Sequence, residues 1–428
     1  MSMKIGMLEL AAPLADAAAF APAILFGVFL CFPATSQSQT TPPAVFHRSD
    51  YERPLSDLQL LGKRIFEDKN LSEPKGVACS SCHDRTRGYQ GVNRSPIAAV
   101  ALGSRPDQFG SRKTPTIMYM AYSPPFGFYG DADHGGDKLK ARGGQFWDGR
   151  ADDLVAQPAA PLPSPAEMNN PSAEAVVDKV KNSSYAPMVT AVFGSDAFAD
   201  AKAAFVRISQ SLSAYEASTL LAPFSSKFDD TLRGAEQLTP LEARGLALFI
   251  DPQRGNCVAC HAGKPESKDP SDWLFTDFSY DALGVPRNPA IPANADPLSF
   301  DLGLCKRPGL EAILPKETPL ASLCGAFKVP TLRNVAVRAP YFHNGAFASL
   351  RDTVAFHATR DTDPERWYPS LKTGEADKFN DLPSAYKANV IVDEVPFDRN
   401  PGQIPRLDDR DVDALVAFLN TLTDKGMR

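Results

Sequence analysis

Cys79-Ser80-Ser81-Cys82-His83 and Cys257-Val258-Ala259-Cys260-His261 are two copies of one five-residue pattern in a chain of 428 residues. Two thiols at this spacing add to the two vinyl groups of a porphyrin. The histidine that follows then lies beneath the iron as its proximal ligand. A zinc ribbon spaces its cysteine pairs by about 15–20 residues, whereas these pairs lie in different halves of the chain. Each pattern reads as a c-type haem attachment site, so the expected cofactors are two covalently bound haem c groups.

The flanks of the two patterns also repeat. Gly62-Lys63-Arg64-Ile65-Phe66-Glu67-Asp68 precedes the first, and Gly245-Leu246-Ala247-Leu248-Phe249-Ile250-Asp251 precedes the second. Both place Gly, an aliphatic residue, Phe and Asp in one frame, which points to a duplicated module. The second helix has a clear start. Thr239 caps it, Pro240 takes the first position, and Glu242 stands three residues after the cap. Two further helices follow from 3-4 spacing of apolar residues. One runs through Phe205, Ile208, Leu212 and Tyr215, the other through Val412, Leu415, Val416, Leu419 and Leu422.

The expected fold is all-α: two cytochrome c-like domains with long ordered loops, residues 50–225 and 226–428. The 38 prolines and the Gly, Pro and Asp of residues 95–146 and 262–330 predict the loops. A hydrophobic content of 43% and a charged content of 22% are those of a globular chain. The net charge of −6 without a clustered basic face argues against nucleic-acid binding.

Lys4 precedes an apolar run from about Ala17 to Phe32, and Ala34-Thr35-Ser36 offers small residues for cleavage. Residues 1–36 therefore read as a signal peptide that sends the chain to the periplasm, with a retained membrane anchor as the alternative. An oxidising compartment favours disulfides. Cys305 and Cys324, outside both haem patterns, are expected to form one.

Six histidines are present, and His83 and His261 serve the two patterns. His47, His134, His343 and His357 remain. No methionine lies between Met188 and Met427, so a methionine ligand from the second module is not expected. His343 or His357 supplies the second face of that iron, or nothing does.

Lys328-Val329-Pro330-Thr331-Leu332-Arg333-Asn334, Ala339-Pro340-Tyr341-Phe342-His343-Asn344-Gly345 and Phe146-Trp147-Asp148-Gly149-Arg150-Ala151 resemble the bacterial di-haem cytochrome c peroxidase and MauG superfamily. The resemblance covers roughly residues 55–425. It implies a peroxidatic first haem and an electron-relaying second haem. The relay haem's distal ligand falls 14 residues after the histidine of Pro-Tyr-Phe-His, which is His357 here. The superfamily's peroxidases carry Met there and MauG carries Tyr, so this chain would have a bis-histidine relay haem. The resemblance further implies Glu167 as the acid–base group, Gln157 as its polar partner, and Trp147 as the electron carrier between the haems. Asp148 and Arg150 would fix the turn, Met168 would pack in the core, and Arg333 would pair with a haem propionate or a surface acid.

Alignment through Gly103 puts Ser104 where the superfamily's peroxidases have a displaceable distal histidine. His134 is the remaining candidate on that side. The superfamily's calcium-binding positions fall on Lys113, Arg338 and Pro340, and a lysine cannot ligate calcium. The expected activity is reduction of hydrogen peroxide with electrons from a small cytochrome or cupredoxin. The alternatives are oxidation of residues in a protein substrate, as in MauG, or plain electron carriage.

Overall fold

The computed structural model describes residues 54–131 and 136–427. The proposed signal peptide, His47 and His134 lie outside the described residues. The described residues belong to one compact unit, Pro43–Arg428. No helix among them is long and apolar enough to cross a membrane.

Nine α-helices are found among the described residues. They are α1 (Asp57–Phe66), α2 (Cys79–Cys82), α3 (Ala173–Lys181), α4 (Ala186–Phe193), α5 (Ala201–Glu216), α6 (Lys227–Leu232), α7 (Pro240–Ile250), α8 (Leu350–Thr359) and α9 (Asp409–Asn420). Short 3-10 turns and long loops connect them. The architecture is all-α with two cytochrome c-like halves. One large apolar cluster draws on residues 61–224 with Met427, and another on residues 228–422.

The repeated Gly-x-x-x-Phe frame has a packing reason. α1 crosses α5, and a Cβ on Gly62 would lie 1.8 Å from the Ser211 carbonyl oxygen. α7 crosses α9, and a Cβ on Gly245 would lie 2.0 Å from the Ala414 carbonyl oxygen. Each helix pair approaches so closely that only glycine fits at the crossing. Phe66 and Phe249, four residues on, are fully buried. The expected cap of α7 forms, and α9 has one of its own. Thr239 and Glu242 make a reciprocal capping box on α7, and Asp408 and Asp411 make another on α9.

The loop segments carry more order than their composition suggested. β1 (Gly127–Asp131) and β2 (Gly136–Arg142) pair antiparallel, with Phe128 opposite Ala141 and Tyr129 opposite Lys140. β3 (Tyr280–Asp281) pairs with β4 (Phe327–Lys328). The pairing segments are short, five and seven residues in the hairpin and two each in β3 and β4, so alternation is hard to read in the sequence. Cys305 and Cys324 form the expected disulfide.

Candidate functional site

Both Cys-x-x-Cys-His patterns line one continuous cavity of about 610 Å³. α1 delivers Phe66 to the first pattern, with its ring 6.2 Å from the His83 ring. Cys79, Cys82, Cys257 and Cys260 are outside any disulfide and face the cavity. Burial pushes the thiols of Cys79, Cys82 and Cys257 up to about 12.

Three imidazoles share one arrangement. The Nδ1–H of His83 donates to the Tyr89 carbonyl at 3.0 Å. That of His261 faces the carbonyls of Phe275 and Pro330, each at 3.2 Å. That of His357, on α8, donates to the Thr353 carbonyl at 2.8 Å. A carbonyl only accepts, so each Nδ1 carries the proton and each Nε2 keeps its lone pair. This is the tautomer a metal-binding histidine needs, oriented by a neighbouring acceptor. Burial lowers all three rings, to about 4 for His261 and His357. A charge on His261 would lower His357 further, which puts the two rings in one neighbourhood. The donor set fits two porphyrins, with thiols, neutral imidazoles and an apolar wall around each pattern.

His343 is different. It is buried and stacked on Phe327 with ring centres 3.5 Å apart, and its Nε2 has no hydrogen-bond partner. Trp147 lies 6.5 Å from it, edge to face. The Trp147 indole donates to the Lys113 carbonyl at 2.8 Å, and its own carbonyl accepts from the Lys328 N–H at 2.8 Å. The turn beneath it is tied by Asp148, which pairs with Arg150 at 2.9 Å and Arg112 at 2.6 Å. Arg112 also reaches Asp301.

Glu167 lies in the cavity wall near the first pattern, since its charge opposes ionisation of both Cys79 and Cys82. Burial raises its carboxyl above the ordinary carboxylate range, with Arg150 and Ser164 pulling the other way. Gln157 lines the same cavity. Ser104 does not face it. The Ser104 hydroxyl donates to the Glu73 carbonyl at 2.8 Å, and its N–H donates to the Glu167 carbonyl at 2.7 Å. Ser104 thus clamps the acid's backbone. Met168 is buried in the first apolar cluster and also borders the cavity.

One expectation fails. Arg333 is fully buried away from the cavity and forks onto Asp229 at 2.9 and 3.0 Å. It donates further to the carbonyls of Trp273 and Pro270. Its counter-ion is internal, so it neither holds a propionate nor lies on the surface. The sequence reading also missed Glu216, a buried cavity-lining acid at the end of α5. The signal was there, because Ile208, Leu212 and Glu216 continue one i, i+4 stripe.

Comparison with known proteins identifies the family. The family model of the di-haem cytochrome c peroxidases matches residues 56–237. The methylamine utilization protein MauG of Paracoccus denitrificans is 36% identical over 391 residues, 88% of this chain and 91% of that protein. The chain belongs to the di-haem cytochrome c peroxidase family. The cytochrome c551 peroxidase of Nitrosomonas europaea is 30% identical over 70% of this chain and 72% of its own length. Among solved structures, the diheme peroxidase BthA of Burkholderia thailandensis superposes with a TM-score of 0.79 and 43% identity over 87% of each chain. A di-haem oxidoreductase of this family carries two haem groups, and the two patterns on one cavity are where this chain would hold them.

Proposed function

We propose that this protein is an exported, periplasmic di-haem peroxidase that reduces hydrogen peroxide to water. His83 would be the proximal ligand of the peroxidatic haem. His261 and His357 would hold the relay haem. Residues 50–225 and 226–428 would be the two modules. The observation that carries the reading is Glu167: a carboxyl raised by burial, beside the first thiol pair, with its backbone fixed by Ser104.

A haem held by His83 would supply redox-active iron for cleavage of the peroxide O–O bond. The chain supplies the proton chemistry. Glu167 removes the proton from one peroxide oxygen and returns it to the other, which leaves as water. Gln157 orients the peroxide through its amide. Two further electrons and two protons complete conversion of one peroxide to two waters. The electrons come from a small cytochrome or cupredoxin. Trp147 carries them toward the first site, held rigidly by its bond to Lys113.

Electron paramagnetic resonance of the ferric protein tests this. One high-spin and one low-spin bis-imidazole signal are expected, and peroxide should remove both. Replacing His357 should change only the low-spin species. Two low-spin signals indifferent to peroxide would refute the assignment.

A second reading rests on the 36% identity to MauG over most of both chains. The same site would then draw its electrons from residues of a protein substrate. Steady turnover with a reduced small cytochrome supports the first reading. Covalent modification of a captured partner without such turnover supports the second.

A further inference from the structure

We propose that Lys113 and Arg338 form a buried cationic pair that receives the carboxylate side chains of the porphyrins. The inference rests on the two-haem reading and extends it to a residue pair that lies outside the attachment patterns.

Both side chains are more than nine-tenths buried, and both line the cavity. Neither makes an ion pair among the described residues. The charges that act on Lys113 are those of Arg338 and Arg87, both positive. Arg338 has Tyr341 as its charge neighbour and no carboxylate. The Lys113 ammonium rests 5.6 Å from the centre of the Tyr341 ring. The Arg338 guanidinium gives one Nη2 to the Thr331 carbonyl, and its Nε is buried without a partner.

Several other buried or half-buried arginines among the described residues have acids, Arg307 with Asp152 among them. Arg112 has Asp148 and Asp301, Arg287 has Asp381, Arg333 has Asp229, and Arg360 has Asp361. Lys328 lacks an acid, but its ammonium donates to Ser123 Oγ and the Gly144 carbonyl. An unpaired buried charge is strongly unfavourable, and two of one sign side by side are worse. Burial and the nearby like charges hold Lys113 well below its ordinary value, and an anion in the cavity would restore its charge and pair it. A porphyrin carries two carboxylates on one edge. A guanidinium forks onto a carboxylate, and an ammonium offers it a point charge.

The backbone of Lys113 gives the pair a further consequence. Its N–H donates to the His343 carbonyl at 2.7 Å, and its carbonyl accepts from Trp147 Nε1. A carboxylate drawn to this ammonium is thereby tied to the residue proposed to carry electrons. Lys113 is a positioning residue in that sense.

The test uses holoprotein, with haem content measured first. A content other than two per chain overturns the underlying two-haem reading and this inference with it. With two haems present, Lys113→Met should lower the midpoint potential of at least one haem, because a lost cation no longer favours the reduced, less positive state. Lys113→Arg should restore it. The propionate bending bands in resonance Raman should shift in Lys113→Arg and Arg338→Lys, two conservative variants expected to fold. Unchanged bands in both variants would overturn the proposal. So would wild-type midpoints that move with added chloride or phosphate and lose that response in Lys113→Arg, which would identify a free anion as the partner.

Discussion

The Trp147 indole nitrogen donates to the Lys113 carbonyl at 2.8 Å, inside the cavity that both haem patterns line. Trp147→Phe removes that donor and leaves a buried carbonyl unpaired, at a cost of about 1–3 kcal/mol in stability. The larger effect is expected on communication. Rapid-freeze paramagnetic resonance after peroxide addition should show the high-spin signal lost as in the parent, with the low-spin signal persisting far longer. If both still vanish together, Trp147 is a core aromatic and nothing more.

Glu167 makes a prediction about pH. Burial is the largest influence on its carboxyl and raises it above the ordinary value, so it stays protonated to higher pH than a solvated glutamate. As a base it must first lose that proton. The peroxide rate should therefore rise with pH across a limb displaced upward from the ordinary carboxylate range. Glu167→Gln should abolish the limb and slow the reaction roughly 10²–10⁴-fold, with both ferric signals retained. Stopped-flow rates across pH decide it. A variant as fast as the parent would move the acid–base role elsewhere.

The two haem patterns and the glycines before them were legible because their chemistry is local. Gly62 and Gly245 mark helix crossings that admit no Cβ, and that constraint survives as a repeated letter. The fate of Arg333 was not legible. Its partner Asp229 lies 104 residues away, and nothing in either neighbourhood announces the pairing. The hairpin of β1 and β2 escaped for a related reason: its order comes from pairing between two short segments. Lys113 stood out in the sequence only as a residue unable to bind calcium. Its burial beside Arg338 without an acid became visible once the chain was folded.

The Cys305–Cys324 bridge supports the segment that leads into β4, where Phe327 stacks on His343. The cysteines stand 19 residues apart, and closing a loop of this size removes about 3 kcal/mol of freedom from the unfolded chain. Replacing both by serine should lower stability by about that amount in denaturant titration. The haem absorbance bands should remain where they were, since neither cysteine lines the cavity. A shifted spectrum would show that the bridge shapes the His343 side of the site.

Glu216 offers the sharpest stability prediction. It is buried at the end of α5, and burial alone raises its carboxyl to about 8. In the unfolded chain the same group titrates near the ordinary value of about 4.3. Between those two values the folded chain holds a proton that the unfolded chain has released. Stability is therefore fullest below the lower value, falls as pH rises through the window, and levels off above about 8. Glu216→Gln has no proton to lose. It should match the parent at acid pH and exceed it on the alkaline side, by on the order of a few kcal/mol. Thermal melts of parent and variant at matched pH values read the difference directly. Parallel curves across the whole range would mean that a cation or a donor meets Glu216 in the loaded protein, and the carboxyl would then have to be reassigned as part of the cofactor's own binding wall.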